Sequence, residues 1–323
     1  MNDCFITTLR GAVDNPNLVK AGEIRVHVKA NDAASANSQE LYLASLGTIQ
    51  VRAEGGGYFG TTYATVESEH LTSLTITSAQ QKIFVANLDF DLVITNKYAI
   101  DRFETQTQKS SISVELDELA YSDLKLLRVV SDDSFGDISF LKHSAILQQA
   151  YIEANDAIYG DISAFAGKTS LTRISVFNSP RIVGSLASIT GCTALTTLQV
   201  QGTGVNGNIS SIPASVTSLN IQDTGISGNV NDLPENATTV YMKRSMVSGS
   251  ISGMTGYSKI SRIEFPAGIA GELETFAQNL VSAGHADGTI NVVFSDYNVT
   301  NGGSAINKLT YSIVISGSSY VIS

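Results

Sequence analysis

The chain has 323 residues, with 20 Lys and Arg against 30 Asp and Glu and a formal net charge of −10. No block of Lys or Arg interrupts that acidity, which excludes a phosphate-backbone reader and hence a nucleic-acid partner. Charged residues make up only 15% while Ser, Thr, Asn and Gly are abundant, a mixture suited to many short strands and turns rather than a helical bundle or disorder.

Residues 1–112 alternate at period two. Ile24, Val26 and Val28 share one face, as do Leu74 with Ile76 and Ile83 with Val85, and Leu92-Val93-Ile94 forms a short continuous run. Asp14-Asn15-Pro16-Asn17, Asn31-Asp32 and Glu54-Gly55-Gly56-Gly57 are turn material between them. The expectation is an all-β anchoring domain, a small sandwich or barrel. Gly55-Gly56-Gly57 is expected to be a flexible hairpin loop, since neither Gly-Lys-Ser/Thr nor a helical pattern follows. His27 and His70 are assigned to separate strands without a partner set, so no metal and no cofactor is expected. Cys4 and Cys192 have no metal-ligand spacing and make no disulfide framework; Cys192 reads as a small buried residue. The amino terminus turns polar within a few residues and no apolar stretch is long enough to span a bilayer. Neither an export signal nor membrane insertion is therefore expected.

Residues 113–323 form the second expected domain. Val114 to Tyr121, with Leu116 and Leu119 among acidic residues, is read as a short capping helix. From Leu124 a phrase then returns seven times: apolar residues at i, i+3 and i+5, then Ile/Val-x-Gly-x-Ile/Leu/Val. Its clearest copy is Leu195, Leu198, Val200 and Val205-Asn206-Gly207-Asn208-Ile209. The repeat glycines are Gly136, Gly160, Gly184, Gly207, Gly228, Gly249 and Gly271, spaced by 24, 24, 23, 21, 21 and 22 residues. A sustained period in the low twenties predicts a solenoid with one short parallel strand per repeat. Ser211-Ile212-Pro213 and Asp232-Leu233-Pro234 leave no room for a helix on the back, which is expected to be extended or a single tight turn. Glu272 to Val281 has helical spacing and ends near Gly284. Ile290, Val292 and Phe294 make a final strand, and Ile313, Ile315 and Val321 flank the turn of a carboxy-terminal hairpin.

Over residues 124–294 the phrase resembles the leucine-rich-repeat family, in the variety whose consensus continues into Leu-x-Gly-x-Ile. The resemblance implies a mainly β chain: a leucine-rich-repeat-like parallel-sheet solenoid with its caps following the amino-terminal β domain. The family's asparagine after the strand is here Asp132, Asn155, Ser179, Thr203, Thr224 and Ser245, and Ser134 replaces the usual Ile or Val in the first copy. The hydroxyls are expected to stand in for the amide and keep a looser hydrogen-bond ladder.

Strand periodicity points alternate residues outward in columns. Arg128, Tyr151, Glu153, Arg173, Phe177, Tyr241, Lys243, Arg262 and Glu264 stand out on an otherwise Ser/Thr/Gln/Asn face and are the candidate binding residues of a concave surface. No catalytic residue is assigned. Glu153 and Glu264 are read as four copies apart, near 19 Å at about 4.8 Å per stacked strand and too far to cooperate in glycoside cleavage, and Asp132-Asp133 diverge. His143 and His285 fall in connections, with no Ser/His/Asp arrangement around them.

Phe5-Ile6-Thr7-Thr8-Leu9-Arg10-Gly11-Ala12-Val13-Asp14-Asn15, followed by Leu18 to Val26, resembles the start of tail-appendage and structural proteins from bacteriophages of gut anaerobes. The resemblance implies a virion protein, a tail or capsid-attached appendage present in many copies. Its β domain would dock to other virion proteins and its solenoid would bind a host surface protein or glycan without catalysis. The alternatives are a bacterial leucine-rich-repeat adhesin or interaction protein and, third, a polysaccharide-degrading tailspike.

Overall fold

A computed structural model describes residues 22–29, 40–62, 66–77, 80–86, 88–106, 112–130 and 133–323. The turns expected at 14–17 and 31–32, together with Cys4 and Asp132, fall outside the described residues. The chain is mainly β, an amino-terminal two-sheet module running into a parallel-strand solenoid.

In the module one sheet carries Ser73–Thr77, Thr48–Glu54, Phe90–Ile94, Ile24–Val28 and Ile112–Val114, in that order and antiparallel throughout. Ile24, Val26 and Val28 are fully buried, as alternation requires, and Arg25 and His27 point the other way. Arg25 bridges Glu54 and Asp91 at 3.0 and 2.8 Å, and His27 Nδ1 lies 2.9 Å from Asp91 Oδ1. The second sheet orders Phe59–Gly60, Gln80–Val85, Glu40–Ser45 and Ile100–Gln106 and continues directly into the solenoid.

Two sequence expectations for the module change. The segment after Glu54 is no hairpin loop: Thr48–Glu54 belongs to one sheet and Phe59–Gly60 to the other, so the glycines carry the chain across the sandwich. Gly57 is buried against the Phe90 ring, where a Cβ would collide. His70 lies not on a strand but just past the short helix Val66–Glu69, stacked on Tyr58 at 4.1 Å between centroids.

The seam has its own coil. Ile100–Gln106 pairs in parallel with Leu126–Val130, Glu115 bridges to Phe135, and Leu116–Leu119 is a 3-10 turn with both leucines buried. This turn stands where a capping helix was expected, and it occupies the back of one coil as the 3-10 turns of the later coils do. The division expected after residue 112 falls inside the strand Ile112–Val114. Ser134, the departure in the first copy, is buried and accepts a 3.1 Å hydrogen bond from the Val114 N–H, which ties the seam strand to the first repeat.

Seven coils follow, with strands Leu126–Val130, Gln149–Glu153, Arg173–Ser175, Thr197–Gln199, Ser218–Asn220, Thr239–Tyr241 and Arg262–Glu264, all in parallel register. Leu127, Ala150, Ile174, Leu198, Leu219, Val240 and Ile263 stack along the interior, essentially without exposure. The Ile/Val-x-Gly stretch does more than close a turn. It forms a second parallel sheet of its own, through Gly136–Asp137, Ile158–Asp161, Ile182–Ser185, Gly204–Asn208, Gly225–Asn229, Met246–Ser250 and Ile269–Glu272. Each of the first six coils then completes its back with one 3-10 turn, in agreement with the tight turn expected there.

The residue after each repeat glycine caps that turn. Asp137, Asp161, Ser185, Asn208, Asn229 and Ser250 each accept the N–H two residues on. The glycine of the next coil lies directly over this side chain. A Cβ on Gly184, Gly228 or Gly249 would stand 2.6–2.7 Å from the cap oxygen below, and φ is +116° to +125° at these three. Glycine is thus required twice, by backbone conformation and by approach.

The ladder expected at the asparagine position is partly replaced. Asn155 does span coils, donating from Nδ2 to the Ser134 carbonyl at 2.9 Å, and its own N–H donates to Ser179 Oγ at 3.3 Å. Thr203, Thr224 and Ser245 instead donate to the carbonyl three residues earlier in their own coil, at 2.6–2.8 Å. Cross-coil bonding moves to the start of the concave strands. There Thr172, Thr196, Thr217, Thr238 and Ser261 each donate a hydroxyl to a carbonyl of the preceding coil.

At the far end the helix Leu273–Ser282 replaces the 3-10 turn of coil seven, and Gly284 follows with φ +76°. Gly288–Val293 is the last parallel strand of the concave sheet, and the hairpin Thr310–Ser316 and Ser319–Ile322 closes it antiparallel. Phe294 stacks on Phe265 at 5.2 Å and meets Tyr311 edge-on, sealing the core. Cys192 is fully buried.

Gly228→Ala is expected to cost about 1–3 kcal/mol, measured by urea melts, since the methyl group meets both strain and the Asn208 cap. Gly167→Ala, at φ +69° with nothing within 4 Å, should cost less.

At the seam the Arg25 N–H donates to Glu118 Oε2 at 2.6 Å. Burial, the largest influence, pushes the Glu118 carboxyl up to about 7, with Glu115 adding to it and Arg25 and Lys97 opposing. A carboxyl raised on folding favours the fold most below the unfolded value and loses that contribution as pH rises towards 7. Glu118→Gln should therefore flatten the decline in melting temperature between pH 5 and 8.

Candidate binding face

Register threads two outward columns through the module and the solenoid without a break. One runs Tyr42, Glu104, Arg128, Tyr151, Ser175, Gln199, Asn220, Tyr241 and Glu264. Beside it run Ala44, Arg102, Leu126, Gln149, Arg173, Thr197, Ser218, Thr239 and Arg262. Glu153 ends the second strand, while Phe177 and Lys243 lie just beyond the strands of coils three and six.

The candidate residues gather in two clusters rather than one patch. At the seam end, Arg128 and Arg173 both lie over the Tyr151 ring, at 5.2 and 5.6 Å from its centroid. The Tyr151 hydroxyl donates to Gln149 Oε1 at 3.1 Å. Glu153 Oε1 accepts from Ser175 Oγ at 2.9 Å, and Phe177 is half-buried. Tyr42, Arg102 and Glu104 extend this cluster from the module: the Arg102 guanidinium lies 4.4 Å from the Tyr42 centroid and pairs with buried Glu104. These three were missed in the sequence. Leu41 and Leu43 alternate around Tyr42, but nothing local shows that this strand joins the solenoid's sheet.

The second cluster is self-contained. Arg262 lies over Tyr241 at 5.5 Å and donates through Nε to Glu264 Oε1 at 3.0 Å. Lys243 Nζ is 3.3 Å from Glu264 Oε2, and Gln222 Nε2 donates to the same oxygen at 3.4 Å. Burial pushes the Glu264 carboxyl up, but the hydrogen bonds and charges of Arg262 and Lys243 outweigh it and hold it below its ordinary range. Between the clusters Thr197, Gln199, Ser218, Asn220 and Thr239 form a neutral polar floor.

Glu153 and Glu264 are five strands apart rather than four, about 24 Å at about 4.8 Å per strand, and both are engaged by neighbours. Two carboxylates so placed cannot share one glycosidic bond. Among the described residues no group of three or more His, Cys, Asp or Glu is placed to hold a metal ion, and no helix is long and apolar enough to cross a membrane. A polar cleft of about 460 Å³ opens beside the seam cluster, lined by Ala44, Gln80, Asp101, Arg102, Lys125, Leu126, Gln148 and Gln149.

No family model and no curated protein matches the chain. Among solved structures it is similar to the plant peptide hormone receptor RGFR1 in complex with RGF2, at 20% identity and a TM-score of 0.44, over 54% of this chain and 29% of that one. It is also similar to a plant ice-binding protein, at 13% and 0.46, over 63% and 66%. A third likeness is to an internalin from Listeria monocytogenes, at 14% and 0.36, over 48% and 52%. The chain thus spans less than a third of that receptor chain. The fold is a leucine-rich-repeat-like parallel-sheet solenoid. Repeated coils and their two parallel sheets carry that statement, and identities this low extend it no further.

Glu264 has a lowered pKa on folding, so its contribution is present above about pH 4.5 and is lost as pH falls through the folded-state value. Glu264→Gln should lower stability at pH 7 by roughly 1–2 kcal/mol, discounted because Arg262 is partly exposed. In thermal melts the gap to the parent protein should narrow steadily from pH 5 to pH 2.5.

Proposed function

We propose that the chain is a non-catalytic interaction protein, of the adhesin or recognition kind, whose concave sheet docks a protein or peptide partner. One observation carries this reading: an unbroken outward face spans module and solenoid, with aromatic and arginine side chains held at both ends of a neutral polar floor. Aromatic and arginine anchors set in a polar surround match the composition of interface hot spots. Their stacking and ion pairs fix them before a partner arrives, which limits the entropy lost on binding. Glu153 and Glu264, the two carboxylates singled out on this face, lie too far apart to cooperate, so the polysaccharide-cleaving alternative draws no support from them.

Attachment to a bacteriophage particle is a narrower form of the same proposal. It is carried by the likeness of Phe5 to Val26 alone, and most of those residues lie outside the described ones. Mass spectrometry of purified virions tests it: presence of the chain with other virion proteins supports it, and absence defeats it.

The broader reading is tested with a photo-crosslinking residue at Tyr241 on the concave face or at exposed Met246 on the second sheet. Protein adducts formed with extracts of candidate target cells are expected from position 241 and not from 246. Equal labelling from both positions, or none from either, would remove the concave face as the binding surface.

A further inference from the structure

Among the described residues most arginines are neutralised. Arg25, Arg52, Arg102, Arg244 and Arg262 each pair with a carboxylate within 4 Å. Arg128, Arg173 and Arg181 do not, and each is held only over a tyrosine ring. Two of these three converge on the single ring of Tyr151, on the concave face, in a chain of net charge −10. Bringing two guanidinium groups together without a counter-charge is unfavourable unless something else gains from it. Arg128 Nε is moreover buried with no hydrogen-bond partner, an atom whose desolvation is left uncompensated.

Of the three surrounding carboxylates, two are already paired with a cation and the third meets only a neutral hydroxyl. Glu104 pairs with Arg102, Asp101 Oδ2 with Lys125 at 3.0 Å, and the Glu153 carboxylate accepts from Ser175. None of them reaches Arg128 or Arg173 within 4 Å. The cleft lies alongside, since Leu126 and Gln149 on its wall occupy the column that leads to Arg173.

We propose that Arg128 and Arg173 form an anion clamp for a carboxylate of an acidic peptide segment, with the seam cleft receiving the polypeptide next to it. This rests on the concave-face reading and names the chemistry it recognises. A planar guanidinium fork matches a planar carboxylate in two parallel hydrogen bonds, and two such forks make the match charge-selective. A peptide suits the site better than an acidic glycan for two reasons. The guanidinium groups already occupy the Tyr151 ring on which a sugar would stack, and Gln80, Gln148 and Gln149 supply amide donors and acceptors suited to a peptide backbone. The two clusters therefore differ in role. In the distal cluster Glu264 bonds both Arg262 and Lys243, whereas no carboxylate lies within 4 Å of Arg128 or Arg173.

The test uses the full chain and a fluorescein-labelled peptide of alternating Gly and Glu, read by fluorescence polarisation against a Gly/Gln peptide of equal length. The acidic peptide should bind, with affinity falling as NaCl rises. The double substitution Arg128→Gln and Arg173→Gln should weaken it at least tenfold. Arg181→Gln, which removes the third unpaired guanidinium from the Tyr159 side of the solenoid, should change it less than twofold. Unchanged melting temperatures in all variants separate lost binding from lost folding. Equal binding of both peptides, or an unaffected double variant, overturns the clamp. Polygalacturonate displacing the peptide at lower carboxylate concentration, with the same loss in the double variant, overturns the peptide occupant in favour of an acidic glycan. A negative result here alongside adducts from position 241 would reject the clamp alone and leave the concave-face reading standing.

Discussion

The solenoid depends on one recurring contact, a backbone glycine seated on the capping side chain of the coil beneath it. A 3-10 turn on the back of a coil leaves N–H groups without partners, and the Asp, Asn or Ser after the glycine accepts one of them. That side chain then lies where the next coil must pass, and only a residue without a Cβ passes close enough. Conformation and contact coincide, since the same glycines hold a φ that side chains rarely adopt. Each coil thus positions the next, and stability accumulates from neighbour to neighbour, as in other linear repeat architectures. Ends are the weak points of such a stack. Here the seam coil with Leu116 and Leu119 covers one, and the helix Leu273–Ser282 with the Phe265, Phe294 and Tyr311 stack covers the other.

This spacing device also builds the candidate binding face. With strands fixed in register at about 4.8 Å, residues of successive coils come within side-chain reach, so Arg128, Tyr151 and Arg173 meet although they span three coils. The same arrangement brings Tyr241, Lys243, Arg262 and Glu264 together at the other end. The outcomes differ in which cations the carboxylates reach. Glu264 is buried between Arg262 and Lys243 and bonds both, whereas Tyr151 gives its two arginines only a ring face. A cation over an aromatic ring is a modest attraction and leaves the charge available.

The module is more than an attached neighbour. Its strand Ile100–Gln106 is the first parallel strand of the concave sheet, and Glu40–Ser45 adds Tyr42 to the outward column. The seam is held by backbone pairing, by Ser134 on Val114 and by Glu118 on Arg25. Recognition at this end therefore draws on both parts of the chain, and the cleft exists only where they join.

Much of this was legible in the sequence, because repetition turns one local rule into seven observations. The glycine period, the inward Leu-x-x-Leu-x-Val pattern and the outward columns from Arg128 to Glu264 all follow from strand alternation, which the chain carries residue by residue. Other features were visible but unread, such as the Asp, Asn or Ser after the first six repeat glycines that caps the back turn and the Thr run that bonds coil to coil. Tertiary structure alone decided three matters. It determined that Gly55 to Gly57 cross between sheets, that Tyr42, Arg102 and Glu104 belong to the binding face, and that Glu264 is neutralised while Arg128 and Arg173 are not. Each depends on partners far apart in the chain, and alternation sets which way a side chain points but not which strand comes to lie beside it.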